Sequence, residues 1–346
     1  MPMKILLIDD SELILSELSL LLNQTGDFSR ILKAHDGEEG IRQTMLNKPD
    51  VIILDLQMPR MDGFTFLRWL MANHPVPVLV FSSIGTDENI FKAMEIGAVD
   101  FIQKPENYIT GEFAEEFKKK LSATTQATLQ FKDGHASHRK HAESTMKQSS
   151  SQPLDSRYSI LVIGASTGGP TAIQRLLEDI QHHVTIPIVI CQHMPRSFTG
   201  VFANRLNMLL QLTVKEAEDG ECMEEKTVYI APGDMHLDIR DKCFFLVQPS
   251  LNDRYIPSVD RLMETAAGSF GDKTLAVILT GMGTDGSSGI QFVHKSGGTI
   301  LAESQDSCVV YGMPKSAVNT GLVHHQLPLD AMGERIISLL FNSDSK

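Results

Sequence analysis

Short, continuous apolar runs alternate with amphipathic segments of helix length along most of this chain. Five runs lie in residues 1–121, at 5–8, 29–34, 51–54, 78–81 and 101–103, and three more follow at 159–163, 186–190 and 274–279. Runs without polar alternation are typical of parallel strands that are covered on both faces. Their alternation with helices predicts doubly wound α/β sheets, and the first five repeats predict a five-stranded parallel sheet.

Length and composition divide the 346 residues into three parts. This length suggests more than one domain. Hydrophobic periodicity disappears between residues 122 and 156, where Ser, Thr, Gln, His and Lys dominate, so we predict domains at 1–121 and 157–346 joined by a flexible polar linker. The linker histidines His135, His138 and His141 lack an acid or cysteine to complete a metal site, which favours a solvated polar tract.

Charge, hydropathy and cysteine usage argue against several classes of function. A net charge of −12 argues against a nucleic-acid-binding protein. No apolar run approaches the roughly 18 residues that span a bilayer, so we expect a cytoplasmic protein without membrane insertion. The four cysteines, Cys191, Cys222, Cys243 and Cys308, lack metal-type spacing, and we expect four reduced thiols in or near the core.

The strand ends of the first domain carry residues that suit phosphoryl chemistry. In a doubly wound sheet, ligands lie at the carboxyl ends of the strands. Asp9, Asp10 and Asp55 would place hard oxygen ligands around Mg²⁺. Ser82 and Lys104 could hold phosphoryl oxygens, with the lysine as a second positive centre. Each acid alone could equally be a helix N-cap, but five such residues at four strand ends are hard to explain as caps.

In the second domain, a serine, a histidine and an aspartate each follow an apolar run. Ser166 lies in the segment Gly-Ala-Ser-Thr-Gly-Gly at 164–169, whose spacing is that of a nucleophile elbow, although such a turn also fits a phosphate loop. His193 and Asp285 follow the next two runs. If these strands share one sheet edge, Ser166 would attack a carbonyl, His193 would carry the proton and Asp285 would orient the imidazole.

Other assignments stay open for this domain. The glycines around Thr167 and Met282 leave backbone N–H groups that could bind an oxyanion, and His236 is a rival base. The order serine, histidine, acid differs from the serine, acid, histidine order of an α/β-hydrolase, which argues against that fold. The glycine spacing is not that of a dinucleotide site, and the turn lacks the lysine of a Walker site.

Residues 1–121 resemble a response-regulator receiver domain. The matching motifs are Asp-Asp-Ser at 9–11, Leu-Asp-Leu-Gln-Met-Pro at 54–59, Met-Asp-Gly at 61–63, Ser-Ser at 82–83, Gly-Ala-Val-Asp at 97–100 and Lys-Pro at 104–105. The resemblance implies a flavodoxin-like fold in which Asp55 is the phosphoacceptor and binds Mg²⁺ with Asp9 and Asp10. It also implies that Ser82 moves toward the phosphoryl group and that Phe101 changes rotamer, although Phe101 alone could be a core residue.

Residues 159–335 resemble the catalytic domain of the chemotaxis protein-glutamate methylesterases, the CheB family. The matching segments lie at 163–170, 192–195, 230–233, 257–260, 279–286 and 308–314. The resemblance implies a triad of Ser166, His193 and Asp285, with the oxyanion held by the backbone of Thr167 and Met282 and no cofactor at the esterase site. The implied substrate is a glutamyl methyl ester on a methyl-accepting chemotaxis receptor, and many members of the family also deamidate receptor glutamines. The chemotaxis histidine kinase is the implied phosphodonor.

The prediction is therefore a two-domain α/β protein. A flavodoxin-like receiver precedes a doubly wound, mainly parallel esterase domain. The family resemblance favours an inhibition of the esterase that phosphorylation relieves, and the alternative is that the phosphorylated receiver docks on the receptor and raises the local substrate concentration. Two other functions stay open. A DNA-binding response regulator would need a short basic helix-turn-helix where residues 157–346 are acidic and strand-rich. A catalytically silent scaffold would carry the same residues without catalytic geometry.

Overall fold

The computed structural model describes residues 3–82, 87–105, 111–134 and 156–341. The chain divides into two units between residues 135 and 136, and each unit has its own parallel sheet. The predicted domain ends at 121 and 157 lie on either side of this division. In the described ranges, no helix has the length and apolar character needed to cross a bilayer.

The first unit is a five-stranded parallel sheet flanked by helices. Its strands are β1 (Met3–Ile8), β2 (Phe28–Ala34), β3 (Val51–Leu54), β4 (Val78–Ser82) and β5 (Asp100–Gln103). Its helices are α1 (Glu12–Thr25), α2 (Gly37–Asn47), α3 (Gly63–Asn73), α4 (Asp87–Ile96) and α5 (Gly111–Gly134). The strand order β2-β1-β3-β4-β5 is the flavodoxin-like one, which confirms the predicted fold.

Both faces of this first sheet are buried, which explains why its strands are apolar at consecutive positions. Leu7 and Ile53 face one side and pack in one cluster with Leu18 of α1 and Phe117 of α5. Leu6, which precedes Leu7 on β1 and therefore faces the opposite side of the sheet, is also fully buried. Burial of one such side chain contributes about 1.5–3 kcal/mol, so the strands hold their carboxyl ends at one edge of a rigid sheet.

The second unit is built on seven parallel strands and an antiparallel hairpin. Its strands are β6 (Ile160–Ala165), β7 (Ile188–Gln192), β8 (Thr213–Glu216), β9 (Thr227–Ile230), β10 (His236–Arg240), β11 (Cys243–Val247), β12 (Thr274–Ile278), β13 (Thr299–Glu303) and β14 (His325–Leu327). Its helices are α6 (Gly169–Ile180), α7 (Arg196–Leu209), α8 (Val259–Phe270), α9 (Gly289–Lys295), α10 (Met313–Asn319) and α11 (Leu329–Phe341). The large sheet has the order β14-β13-β12-β6-β7-β9-β8, and β10 pairs with β11. This architecture confirms the predicted α/β fold and leaves no place for a short helix-turn-helix domain in the described part of the unit.

Strand β6 lies between β12 and β7, at the point where the order of the sheet reverses. Ala165 pairs with Gln192 of β7, and Gly164 pairs with Ile278 of β12. A crevice at the carboxyl edge is expected at such a switch point. The prediction that the serine, histidine and aspartate follow strands of one sheet edge is confirmed.

Helix α5 is longer than the sequence indicated. It continues to Gly134, so residues 122–134 are helical where a polar linker was predicted. Ala123 and Ala127 are buried and extend the apolar face of the helix beyond Leu121. Because alanines carry little apolar surface, the periodicity of large apolar residues does not indicate that the helix continues here. Residues 135–155 of the predicted linker, including its three histidines, lie outside the described residues.

The cysteine prediction is correct for two residues and wrong for the other two. Cys191 and Cys308 are buried reduced cysteines. Cys222 and Cys243 instead form a disulfide. Cys243 begins β11, and an antiparallel bridge places Cys222 directly opposite it. The pairing depends on this tertiary contact, and nothing in the spacing of the two cysteines indicates it.

Candidate functional site

Ser166 lies in the turn between β6 and α6, at the carboxyl edge of the seven-stranded sheet. Its backbone N–H donates to the carbonyl oxygen of Thr280 at 3.0 Å, and its carbonyl oxygen accepts from the N–H of Gly169 at 2.8 Å. A Cβ on Gly281 would lie 2.8 Å from the Cβ of Ser166, so the loop after β12 approaches this closely only because residue 281 is glycine. The turn presents a partly exposed hydroxyl beside that loop, as expected for a nucleophile elbow.

His193 and Asp285 are in direct contact. The Nε2 atom of His193 lies 2.8 Å from Oδ2 of Asp285, and the backbone N–H of His193 donates to Ala165, next to the serine. Because Nε2 faces the acid, Nδ1 is the ring nitrogen left for proton transfer. No hydrogen bond joins the Ser166 hydroxyl to His193 among the residues that the structure describes. Such bonds often form only when substrate is bound.

The carboxylate of Asp285 is held by the start of α8. Its Oδ2 atom accepts from the N–H of Val259 at 2.7 Å, and its Oδ1 atom accepts from the N–H of Asp260 at 2.9 Å and from the hydroxyl of Ser258 at 3.2 Å. Burial alone would raise the pKa of Asp285, but the hydrogen bond and charge of His193, together with these backbone donors, lower it. Asp285 is therefore ionised and can stabilise an imidazolium.

Gln192 connects the serine and histidine segments. Its side-chain Nε2 donates to the carbonyl oxygens of Ser166 and His193, each at 3.0 Å, and the residue is only 2% exposed. Sequence reasoning assigned no role to this residue. The sequence feature that could have indicated this role is a polar side chain at the end of a buried strand, directly before His193.

The backbone donors expected at Thr167 and Met282 lie on two segments that meet beside Ser166. The hydroxyl of Thr280 donates to the carbonyl oxygen of Thr167 at 3.0 Å, which joins the serine turn to the loop after β12. Within the described ranges, the backbone N–H of Met282 donates no hydrogen bond. It is thus available to an oxyanion at this site.

A buried acid that the sequence analysis did not consider supports the same loop. Glu303, at the end of β13, accepts from the backbone N–H of Thr280 at 2.8 Å and from the hydroxyl of Ser307 at 2.8 Å. Its side chain is fully buried, and this burial raises the pKa of Glu303. Glu303 therefore fixes the backbone of the loop that carries Met282.

His236, the rival base, has a different partner. Its Nε2 atom lies 2.9 Å from Oδ2 of Asp253, and the residue is 2% exposed. The structure therefore brings His193, and not His236, to the acid that follows β12.

The carboxyl edge of the first sheet brings together the residues predicted to hold a metal. Oxygens of Asp9, Asp10 and Asp55 lie within 4.8 Å of one another. The ammonium group of Lys104 is 2.6 Å from Oδ2 of Asp55 and 2.7 Å from Oδ2 of Asp9. This Asp9 oxygen is buried and has no aligned hydrogen-bond donor among the described residues, although the ammonium is close. Three acidic oxygens at this spacing fit a divalent cation with oxygen ligands.

The electrostatics of this edge also favour a bound cation. Burial is the main cause that raises the pKa of Asp55, and the neighbouring Asp9 adds to it against the opposing charge of Lys104. A divalent cation would offset this repulsion, because a metal is the largest local charge in such a site.

Ser82 and Phe101, the two residues predicted to move on phosphorylation, lie on the adjacent strands β4 and β5. Ser82 ends β4, and its carbonyl oxygen accepts from the N–H of Lys104 at 2.7 Å. Phe101, on the adjacent strand β5, is 2% exposed, and the ammonium of Lys120 lies 4.7 Å from its ring centroid. The implied change of rotamer at Phe101 stays a prediction.

Two family models match the chain. Residues 161–336 match the model described as CheB methylesterase, and residues 5–110 match the model described as response regulator receiver domain.

Similar proteins cover nearly the whole chain. A protein-glutamate methylesterase/protein-glutamine glutaminase of Myxococcus xanthus is 40% identical over 339 residues, which cover 97% of this chain and 96% of the relative. A relative of the same description from Methanosarcina barkeri is 37% identical over 360 residues, covering 98% and 99% of the two chains. The crystal structure of the Thermotoga maritima CheB methylesterase catalytic domain has a TM-score of 0.51 and 43% identity, and the match covers 53% of this chain and 99% of that one.

Proposed function

The chain belongs to the CheB methylesterase family and carries a response regulator receiver domain, and we propose that it hydrolyses glutamyl methyl esters on chemoreceptors. The products are receptor glutamate and methanol. The observation that carries the proposal is the contact of His193 with Asp285 at 2.8 Å, beside a serine on the neighbouring strand end. Deamidation of receptor glutamines is the second reaction of the same site, with ammonia as the leaving group.

In the proposed reaction, the oxygen of Ser166 attacks the ester carbonyl while Nδ1 of His193 takes its proton. The backbone N–H groups of Thr167 and Met282 hold the oxyanion. The tetrahedral intermediate expels the methoxy group, which leaves as methanol with the proton from His193. Water then attacks the acyl-enzyme with His193 as base, and Ser166 recovers its proton. Asp285 stabilises the imidazolium in both halves of the reaction.

The proposed control of this activity is phosphorylation of Asp55 by the chemotaxis histidine kinase. Asp9, Asp10 and Asp55 would hold Mg²⁺, which neutralises phosphoryl charge when bound. Lys104 provides a second positive charge beside Asp55. Ser82 and Phe101 would report the phosphoryl group to the rest of the receiver. The partners in this proposal are methyl-accepting receptors and the kinase, in the cytoplasm.

The test is methanol release from a methyl-labelled receptor fragment by the full chain and by Ser166→Ala. We expect Ser166→Ala to lose hydrolysis while it stays folded, and to lose labelling by a fluorophosphonate, which reacts with activated serines. Ser197→Ala, at an exposed serine of α7, is the matched control and should behave as the parent. Hydrolysis by Ser166→Ala within about tenfold of the parent would contradict the assignment, because loss of such a residue normally costs far more.

A further inference from the structure

The segment between β11 and α8, residues 248–258, is here called the strap. A turn within it is closed by Asp253, whose carboxylate accepts from the N–H of Ser250 at 2.7 Å and pairs with Nε2 of His236 at 2.9 Å. The backbone donor of Ser250 and the hydrogen bond from His236 lower the pKa of Asp253 to about 2. Because His236 is buried at the start of β10, this hydrogen bond anchors the strap to the hairpin.

The strap brings an aromatic ring onto His193. The ring of Tyr255 lies parallel to the imidazole, with an angle of 4° between the planes and 5.2 Å between the centroids. This is the offset-stacked arrangement that aromatic pairs prefer. The hydroxyl of Tyr255 accepts from the N–H of Thr284 at 3.2 Å, next to Asp285. Tyr255 thus contacts the base and the loop that carries the acid.

Gly283 makes room for this contact. A Cβ on Gly283 would lie 2.4 Å from the hydroxyl oxygen of Tyr255, and its φ of +93° suits glycine. The loop after β12 therefore accommodates the tyrosine, in addition to approaching Ser166.

A hydrogen bond fixes the position of one ring atom, but it leaves the plane of the ring free to tilt. The bond from Nε2 to Asp285 therefore does not by itself aim Nδ1 at the serine. A parallel ring against the imidazole removes this freedom, because tilting would break the stack. We propose that Tyr255 is a positioning residue that holds the plane of His193 for proton transfer with Ser166. This inference rests on the proposed function of these two residues.

The experiment compares Tyr255→Leu, Tyr255→Met and Tyr255→Phe in the full chain, activated with acetyl phosphate and Mg²⁺. Two assays are run: methanol release from the receptor fragment, which gives kcat and KM, and fluorophosphonate labelling of Ser166, which gives a rate constant. Labelling depends on activation of the serine and not on receptor binding. Tyr255→Met keeps a long side chain without a ring, and circular dichroism and thermal melts report folding of each variant.

We expect kcat and the labelling rate to fall together by about 10- to 100-fold in Tyr255→Leu and Tyr255→Met, with KM nearly unchanged, because small misplacements of a base have effects of this size. Tyr255→Phe keeps the stack and should stay within about threefold of the parent. Phe245→Leu removes another partly exposed ring, on β11, and should leave both rates unchanged.

Three results would overturn the inference. In the first, folded Tyr255→Leu or Tyr255→Met labels Ser166 at the parent rate. In the second, only KM rises, which would assign Tyr255 to receptor binding. In the third, Tyr255→Phe loses as much as the non-aromatic variants. A parent that neither labels nor releases methanol would instead overturn the proposed function itself.

Discussion

Replacement of Asp285 by asparagine tests the arrangement of the esterase site most directly. Each carboxylate oxygen faces only donors: His193 and Val259 at Oδ2, and Ser258 and Asp260 among those at Oδ1. An asparagine amide has one acceptor oxygen and one NH₂ donor. In either orientation of the amide, the NH₂ group must therefore point at backbone donors.

The effect on catalysis follows from the tautomer of His193. If the asparagine oxygen takes the Oδ1 position, its NH₂ group faces Nε2, which must then be unprotonated to accept. The proton moves to Nδ1, and His193 can no longer take a proton from Ser166. Loss of the orienting carboxylate in a comparable triad lowers kcat by about 10⁴. A factor of this size corresponds to about 5.4 kcal/mol of transition-state stabilisation.

The effect on stability follows from the N–H of Val259. This donor is buried and accepted only by Oδ2 of Asp285 among the described residues. A buried donor left unsatisfied costs about 1–3 kcal/mol, so Asp285→Asn should also lower the melting temperature.

The assay is methanol release by the full chain with phosphodonor, together with a thermal melt. Asp260→Asn is the matched control, because its Oδ1 atom accepts from both Ser288 and Gly289 and an asparagine oxygen can do the same. We expect the control to lose less than about tenfold. Folded Asp285→Asn with more than about 1% of parental kcat, or an equal loss in Asp260→Asn, would refute the reasoning.

Further predictions concern the buried acid, the rival base and the receiver. Glu303→Gln should raise the melting temperature more at pH 8 than at pH 5: burial raises the pKa of Glu303, so the stability that its proton provides is lost as pH rises through the folded pKa. An equal change in melting temperature between parent and variant at both pH values would contradict this. His236→Ala should lower kcat far less than Ser166→Ala, and the reverse ranking would reassign the base. In the methanol assay with phosphodonor and Mg²⁺, Asp55→Asn should stay at the rate of the unphosphorylated parent. A chain truncated to begin near Arg157 should exceed that rate. A truncated chain no faster than the unphosphorylated parent would contradict inhibition by the receiver.

The sheets and their strand ends were predictable because consecutive apolar residues already indicate burial on both faces. The position of Ser166 next to His193 and Asp285 follows from that rule, since β12, β6 and β7 are neighbours. The supporting contacts were not predictable. The parallel ring of Tyr255 comes from a connection with no periodic pattern, and its contact with His193 spans distant parts of the sequence.

The contacts of Asp285 show why its sequence motif alone could not distinguish a structural role from a catalytic one. Taken alone, Asp285 could be a capping acid or an orienting acid, and the structure shows it accepting the N–H groups of Val259 and Asp260 at the start of α8 while it contacts His193. His193 and, after it, the backbone donors of the helix start lower the pKa of Asp285, so the carboxylate is ionised, and the same donors hold its oxygens in place. Asp285 can therefore hold a histidine in one tautomer because it also caps a helix. The two interpretations describe one residue, and in Asp285→Asn the melting temperature reports the loss of the cap while kcat reports the loss of the orienting charge.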